Sequence, residues 1–193
     1  IVDAANYNLL VEGAADKFLL EGILHRFCPE IRNNFLVNGS LSESKECLLA
    51  RLYKGLRFPF LAILDADSKG RELANRLRRY GIEQNNIIEI GQVFPDKKDE
   101  FTLADLVSPE TYYRAVKTAY PEKPIEKPNQ CSSKIEKACE DEFRVKYGIG
   151  FSKTRVAQSL KKILIENKRI DKVTSDNLKK LTKEIHTTLA DMR

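Results

Sequence analysis

The run Phe60-Leu-Ala-Ile-Leu64 is unbroken in its apolar character and passes straight into Asp65-Ala-Asp67-Ser-Lys-Gly70. Five apolar residues without alternation describe a strand buried on both faces, and such strands belong to parallel sheets covered by helices. The neighbouring sequence keeps the matching rhythm. Asn8-Leu-Leu-Val11 and Phe35-Leu-Val37 are further short strands, ended by Glu12-Gly13 and Asn38-Gly39. Asn86–Ile90 is a fourth strand. Between them, Ala14–Phe27 repeats apolar residues at helical spacing up to Pro29. Ser40 with Glu43 forms a capping box for a helix reaching about Leu56, and Arg71–Tyr80 is a helix ended by Gly81 as a left-handed cap. The order β-α-β-α-β-α-β predicts right-handed crossovers and a Rossmann-like α/β fold, with about four parallel strands flanked by helices.

The chain changes character after about residue 120. Pro109–Tyr120 reads as a helix, Pro121, Pro124 and Pro128 mark an extended connector, and helices follow near 133–147, 152–167 and 174–192. Charge changes with it. Residues 1–110 carry 14 basic and 17 acidic side chains, residues 111–193 carry 19 and 11, and the net +5 hides this division. An acidic front half suits a site that holds cations, and a basic rear half suits a polyanionic partner. No apolar run approaches the roughly 18–20 residues that span a bilayer, which excludes a membrane protein built on such helices. Four scattered cysteines, no CxxC pair and no signal peptide point to reduced thiols and the cytoplasm. The first residue is Ile1 and a strand starts within about seven residues, so the expectation is a piece of a longer protein.

In an open parallel sheet the carboxyl ends of the strands share one edge, and ligands bind in the crevice there. Glu12 ends the first strand, and Asp65 and Asp67 end the third. If those strands are neighbours, three carboxylates converge, a costly arrangement unless a cation joins them. Oxygen ligands without Cys or His nearby suit Mg²⁺ or Mn²⁺ rather than Zn²⁺. Asp16, four residues after Glu12, faces the same side on the opening helical turn, where it also suits the helix dipole. Asp65–Gly70 begins like an EF-hand loop, but Lys69 and Arg76 occupy positions that need ligands. Two other readings stay open: a phosphatase of the haloacid-dehalogenase type, and a polar turn in which Asp67 or Ser68 caps the helix.

Leu10-Val-Glu12-Gly13-Ala-Ala-Asp16, followed some fifty residues later by Leu64-Asp65-Ala-Asp67-Ser-Lys-Gly70, resembles the Toprim domain of topoisomerases, bacterial primases and nucleases. The form of the first motif and the helical extension resemble the OLD (overcoming lysogenization defect) and Gabija-type nucleases. There the domain is usually fused behind an ABC-type ATPase, and this chain holds no GxxxxGK[ST] phosphate loop. The resemblance covers residues 7–110 well and the tail loosely. It implies a Toprim catalytic domain at 1–120, a connector at 121–132 and a basic helical extension at 133–193.

Two more segments carry over. Leu103-Ala104-Asp105-Leu106 resembles the family's E-D-L segment, with Asp105 in the Asp place and Ala104 where Glu is usual; Glu100 and Asp99 are the nearby substitutes. Phe151-Ser-Lys153-Thr-Arg-Val-Ala157 resembles the segment that supplies a basic catalytic residue. The resemblance therefore implies a DNA endonuclease in anti-phage defence, acting as a homo-oligomer. Two Mg²⁺ or Mn²⁺ ions would be held by Glu12, Asp16, Asp65, Asp67 and Asp105, with Glu12, Asp65, Asp67 and Lys153 as the catalytic group. Topoisomerase, primase-like and non-catalytic assembly roles of a Toprim fold are the alternatives.

Overall fold

The computed structural model describes residues 7–29, 34–39, 46–96, 100–125, 135–148 and 150–192. Strands β1 (Tyr7–Val11), β2 (Phe35–Gly39), β3 (Phe60–Leu64) and β4 (Ile87–Glu89) form one parallel sheet in the order β2-β1-β3-β4. Helices α1 (Ala14–Phe27), α2 (Glu46–Leu56) and α3 (Ser68–Arg79) are the crossovers. A short α4 (Ile90–Val93) and a 3₁₀ turn at Leu103–Leu106 lead to α5 (Pro109–Ala119), α6 (Ile135–Glu142), α7 (Lys153–Ile165) and α8 (Lys172–Asp191). The four predicted strands and three crossover helices are all present. Gly81 has φ +77°, as its place after α3 requires. The proposed Ser40–Glu43 cap lies outside the described residues.

Strand residues alternate between two apolar layers. Leu9, Val11, Leu61, Ile63 and Ile88 face a core shared with α1, α5, α7 and α8, whereas Leu10, Phe60, Ala62, Leu64 and Ile87 face Ala50, Tyr53, Leu73 and Leu77 of α2 and α3. Both faces of β1 and β3 are thus covered, which explains why their sequences are apolar at every position. The chain steps from β1 outward to β2, then returns across β1 to β3. The gap between the ends of β1 and β3 is therefore the point where strand order reverses, the crevice that open α/β sheets use for ligands.

The rear helices belong to this same core. Helix α7 lies along α1, where a Cβ on Gly22 would come within 2.9 Å of the Lys161 backbone, so only glycine permits this approach. Lys161 Nζ pairs with Glu21 at 2.6 Å across the contact. Leu160, Leu164, Leu178, Leu181 and Ile185 are buried with the strand residues of the first layer. Residues 153–191 thus form part of the layer that covers one sheet face.

The start of α8 is fastened to the segment before α5. Asp171 caps α8 through the Thr174 N–H at 2.9 Å and accepts the hydroxyl protons of Ser108 and Thr111, the latter at 2.7 Å. Asn177 Nδ2 donates to the Leu106 carbonyl at 2.9 Å.

Candidate functional site

Glu12 and Asp65 leave the ends of adjacent strands, one residue beyond Val11 and two beyond Ile63 in the Val11–Ile63 pair. The Asp65 N–H donates to Glu12 Oε1 at 2.9 Å, which locks the two strand ends together. Asp65 Oδ1 accepts the Leu103 N–H at 2.8 Å and so docks the 3₁₀ turn against the site. Asp16 Oδ2 accepts the Gly13 N–H at 2.9 Å, and Asp67 Oδ1 caps α3 through the Gly70 N–H at 2.8 Å. Asp105 Oδ2 accepts the N–H and hydroxyl of Thr102, both at 2.9 Å. Each of the five carboxylates is held through one oxygen by a main-chain N–H. Gly70 is required here: a Cβ would sit 2.1 Å from the Asp65 carbonyl oxygen and 2.9 Å from Glu12 Oε1.

Electrostatics tie three of these groups together. Burial first, then repulsion from Asp16 and Glu12, pushes the Asp65 carboxyl far above the ordinary carboxylate range, against the Leu103 N–H. Burial, Glu12 and Glu136 raise Asp16 in the same way, and burial together with Asp67 raises Glu12. Lys69 beside Glu12 and Lys153 beside Asp16 offset this crowding only in part. Among the described residues, however, no group of three or more Asp, Glu, His or Cys is closed up as a metal-holding cluster. The acidic groups converge on the crevice while their oxygens are pinned by backbone.

An open cleft of about 750 Å³ adjoins them, with Asp67, Thr102 and Asp105 on one wall and Glu136, Glu140 and Lys153 on the other. Lys153 stands on the first turn of α7 and pairs with Glu136 Oε2 at 2.9 Å. Burial lowers its pKa, but Glu136, Glu140 and Asp16 outweigh this and raise it. Tyr112 Oη donates to the other Glu136 oxygen at 3.4 Å.

Neither a protein-family model nor a curated protein sequence matches the chain. Solved structures do. The C-terminal region of the Burkholderia pseudomallei OLD protein superposes with a TM-score of 0.58 at 14% identity, over 96% of this chain and 98% of that one. The C-terminal region of the Xanthomonas campestris pv. campestris OLD protein, phased with platinum, gives 0.51 at 13% identity over 96% and 94%. Its mercury-phased form gives 0.52 at 13% over 96% and 97%. The chain has the fold of an OLD C-terminal region.

Within this OLD-type fold, Glu12, Asp16 and Asp65 lie within electrostatic reach of one another, with Asp67 beside Glu12 and Asp65 and with Lys153 beside Asp16. Asp105 shares the cleft with Asp67 and Lys153 and fixes Thr102, the residue before the N–H that holds Asp65. Ala104 is buried in the apolar core, and Glu100 is exposed with φ +70°; Asp99 lies outside the described residues. Sequence reasoning missed Glu136. It sits in Glu136-Lys-Ala-Cys-Glu140-Asp141, an acidic helix start with no motif, and its relevance appears only once α6 is set against Asp16 and Lys153. The rear segment also differs from its net charge, because α6 turns Glu136, Glu140 and Asp141 toward the cleft.

Proposed function

We propose that this chain is a Mg²⁺- or Mn²⁺-dependent DNA endonuclease, the nuclease portion of an OLD-type ATPase–nuclease in anti-phage defence. The observation that carries this reading is the bonded pair Glu12–Asp65 at the strand-order reversal, crowded by Asp16 and faced by Lys153. The donor set fits a hard divalent cation in its chemistry: it is all oxygen, partly buried and mutually repelling. Glu12, Asp16, Asp65, Asp67 and Asp105 would hold such ions. When bound, the ions supply a lowered water pKa and stabilisation of charge on the phosphate. The chain's own contribution is placement. Backbone N–H groups fix the carboxylates, Gly70 lets α3 begin against Asp65, and Glu136 holds the Lys153 ammonium at the cleft, where it offsets negative charge on a bound phosphodiester. The cleft wall is acidic, so without cations it would repel DNA.

The match to regions described as C-terminal supports a larger parent chain, and the ATPase partner, the homo-oligomer and the DNA substrate belong to this proposal. Supercoiled plasmid incubated with the protein in Mg²⁺, Mn²⁺ or EDTA tests it. Nicked and linear products with metal, none with EDTA and none from Asp65→Ala/Asp67→Ala are expected. Absence of metal-dependent cleavage in the complete assembly refutes the enzyme reading.

A second reading has its own observation. Ala104 is buried among apolar side chains where the family has an acidic ligand, which favours a Toprim fold kept for assembly. Calorimetry separates the two, because an assembly module binds neither ion at the site whereas the nuclease does.

A further inference from the structure

Six large apolar side chains are exposed among the described residues, and four of them gather in one place: Leu48 (64%), Leu52 (43%) and Leu56 (49%) on α2, with Tyr80 (47%) at the end of α3. At 3.6 residues per turn the leucines drift only about 40° per step, so they form a continuous stripe along the outer face of α2. The opposite face buries Ala50 and Tyr53 against the sheet, so the stripe is additional to what the fold needs. Gly55 lies between Arg51 and the leucines on this outer face. A Cβ there would meet nothing within 4 Å, so nothing in the chain requires glycine at a helix position where it is unfavourable. The missing side chain leaves a notch that admits another backbone.

Charge beside the stripe is one-sided. Arg51, Lys54 and Arg57 follow one flank of α2 and are exposed, and no acidic residue lies between Leu48 and Arg57. The Arg51 guanidinium lies over the Tyr80 ring at 5.0 Å, and Lys54 Nζ donates to the Gly81 carbonyl, so these two cations are held in a row against α3. From this juxtaposition we infer that α2 is a docking surface for an amphipathic helix whose apolar stripe is bordered by acidic residues. A second copy fits poorly. Face-to-face packing would set the same cations together. Three leucines and a tyrosine, none larger than the upper aromatic value of about 250 Å², offer when half-exposed at most about 500 Å², short of the roughly 800 Å² per partner of a stable pair. A helix lying on a lipid surface carries cations on both flanks, and here the other flank is turned into the core.

The test uses the 193-residue chain and three labelled helical peptides. One carries Leu at i, i+4 and i+8 with Glu on one flank, one replaces Glu by Lys, and one scrambles the first. Fluorescence anisotropy is expected to show the acidic peptide binding at least about tenfold tighter than the other two, with affinity falling as salt rises. Leu48→Ser/Leu52→Ser/Leu56→Ser abolishes that binding with an unchanged circular dichroism spectrum, and Arg51→Glu/Lys54→Glu/Arg57→Glu reverses the peptide preference. Equal binding of acidic and basic peptides, or full binding by the leucine variant, overturns the proposal. So does a wild-type dimer in sedimentation that the leucine variant lacks, or leucine-dependent binding to phosphatidylserine vesicles without acidic-peptide binding.

Discussion

Asp65 lies half-buried beside Asp16 and Glu12, so in the metal-free protein its carboxyl keeps a proton at pH values where a free aspartate has lost it. The folded-state pKa is above the unfolded one. Folding therefore takes up a proton, and this group's stabilising contribution is complete below about pH 4 and lost as pH rises through the elevated value. The metal-free melting temperature is expected to fall between about pH 5 and pH 8, and saturating Mg²⁺ is expected to restore it. Asp65→Asn keeps an acceptor for the Leu103 N–H and removes the charge. It is expected to flatten the pH dependence, gain about 1–3 kcal/mol at pH 8 without metal, and lose most of the Mg²⁺ effect. Calorimetric melts at the two pH values check all three.

Glu136 supports a second prediction at this scale. Without it, burial acts on Lys153 with less opposition, so Glu136→Gln is expected to lower the Lys153 pKa, read from the ¹³Cε shift across a pH titration. An unmoved pKa removes Glu136 from the positioning role. The pairing of Glu12 with Asp65 was legible in part: each carboxylate directly ends an apolar run, while the adjacency of β1 and β3 comes from the sheet order. Glu136 was not, because its position depends on how α6 lies against α1 and α7, and no local pattern encodes that contact.

Among the elements, the β-α alternation was readable because strands buried on both faces and helices of 11–14 residues leave different apolar signatures. Helix ends shifted by a few residues where a cap decided them. Asp67 caps α3, so the helix begins at Ser68 rather than Arg71. The cap uses one oxygen of Asp67, as the polar-turn reading expects. Gly70→Ala places a methyl group into the Asp65 carbonyl, and a loss of about 1–3 kcal/mol or more in urea melts is expected, with weakened metal binding. Asp171 gives the opposite pH signature to Asp65. Burial favours its protonated form, but bonds from Ser108, Thr111 and Thr174 prevail and hold its carboxyl well below the usual range. Its stabilisation is present above about pH 4 and lost as pH falls through the depressed value. Asp171→Ala is expected to cost about 1–2 kcal/mol at pH 7, and less near pH 3.

The whole molecule has a basic rear half, and its charge suggested an attachment laid against nucleic acid. The structure gives α7 and α8 a different first task, closing the sheet face that α1 covers only in part. Composition cannot distinguish these roles, because lysines on the solvent side of an amphipathic helix count toward net charge whatever its apolar side covers. A chain ending near residue 150 is therefore expected to lose cooperative unfolding, and Leu181→Ala in the intact chain to cost about 2–5 kcal/mol in a single transition. Independent folding of residues 1–150 would show that the sheet needs no such cover. Among the described residues no helix is long and apolar enough to cross a membrane.

The five carboxylates of the site are gripped by the N–H groups of residues 13, 65, 70, 102 and 103. A main-chain donor is the same in every amino acid but proline. At 102 the hydroxyl also bonds Asp105 and at 103 the side chain is buried, so drift there is confined to a hydroxyl residue and to apolar residues, and proline is barred at all five places. A deep substitution scan would then read the site as acidic columns beside glycine alone at 70, a hydroxyl at 102 and an apolar residue at 103, with proline missing from every one of the five.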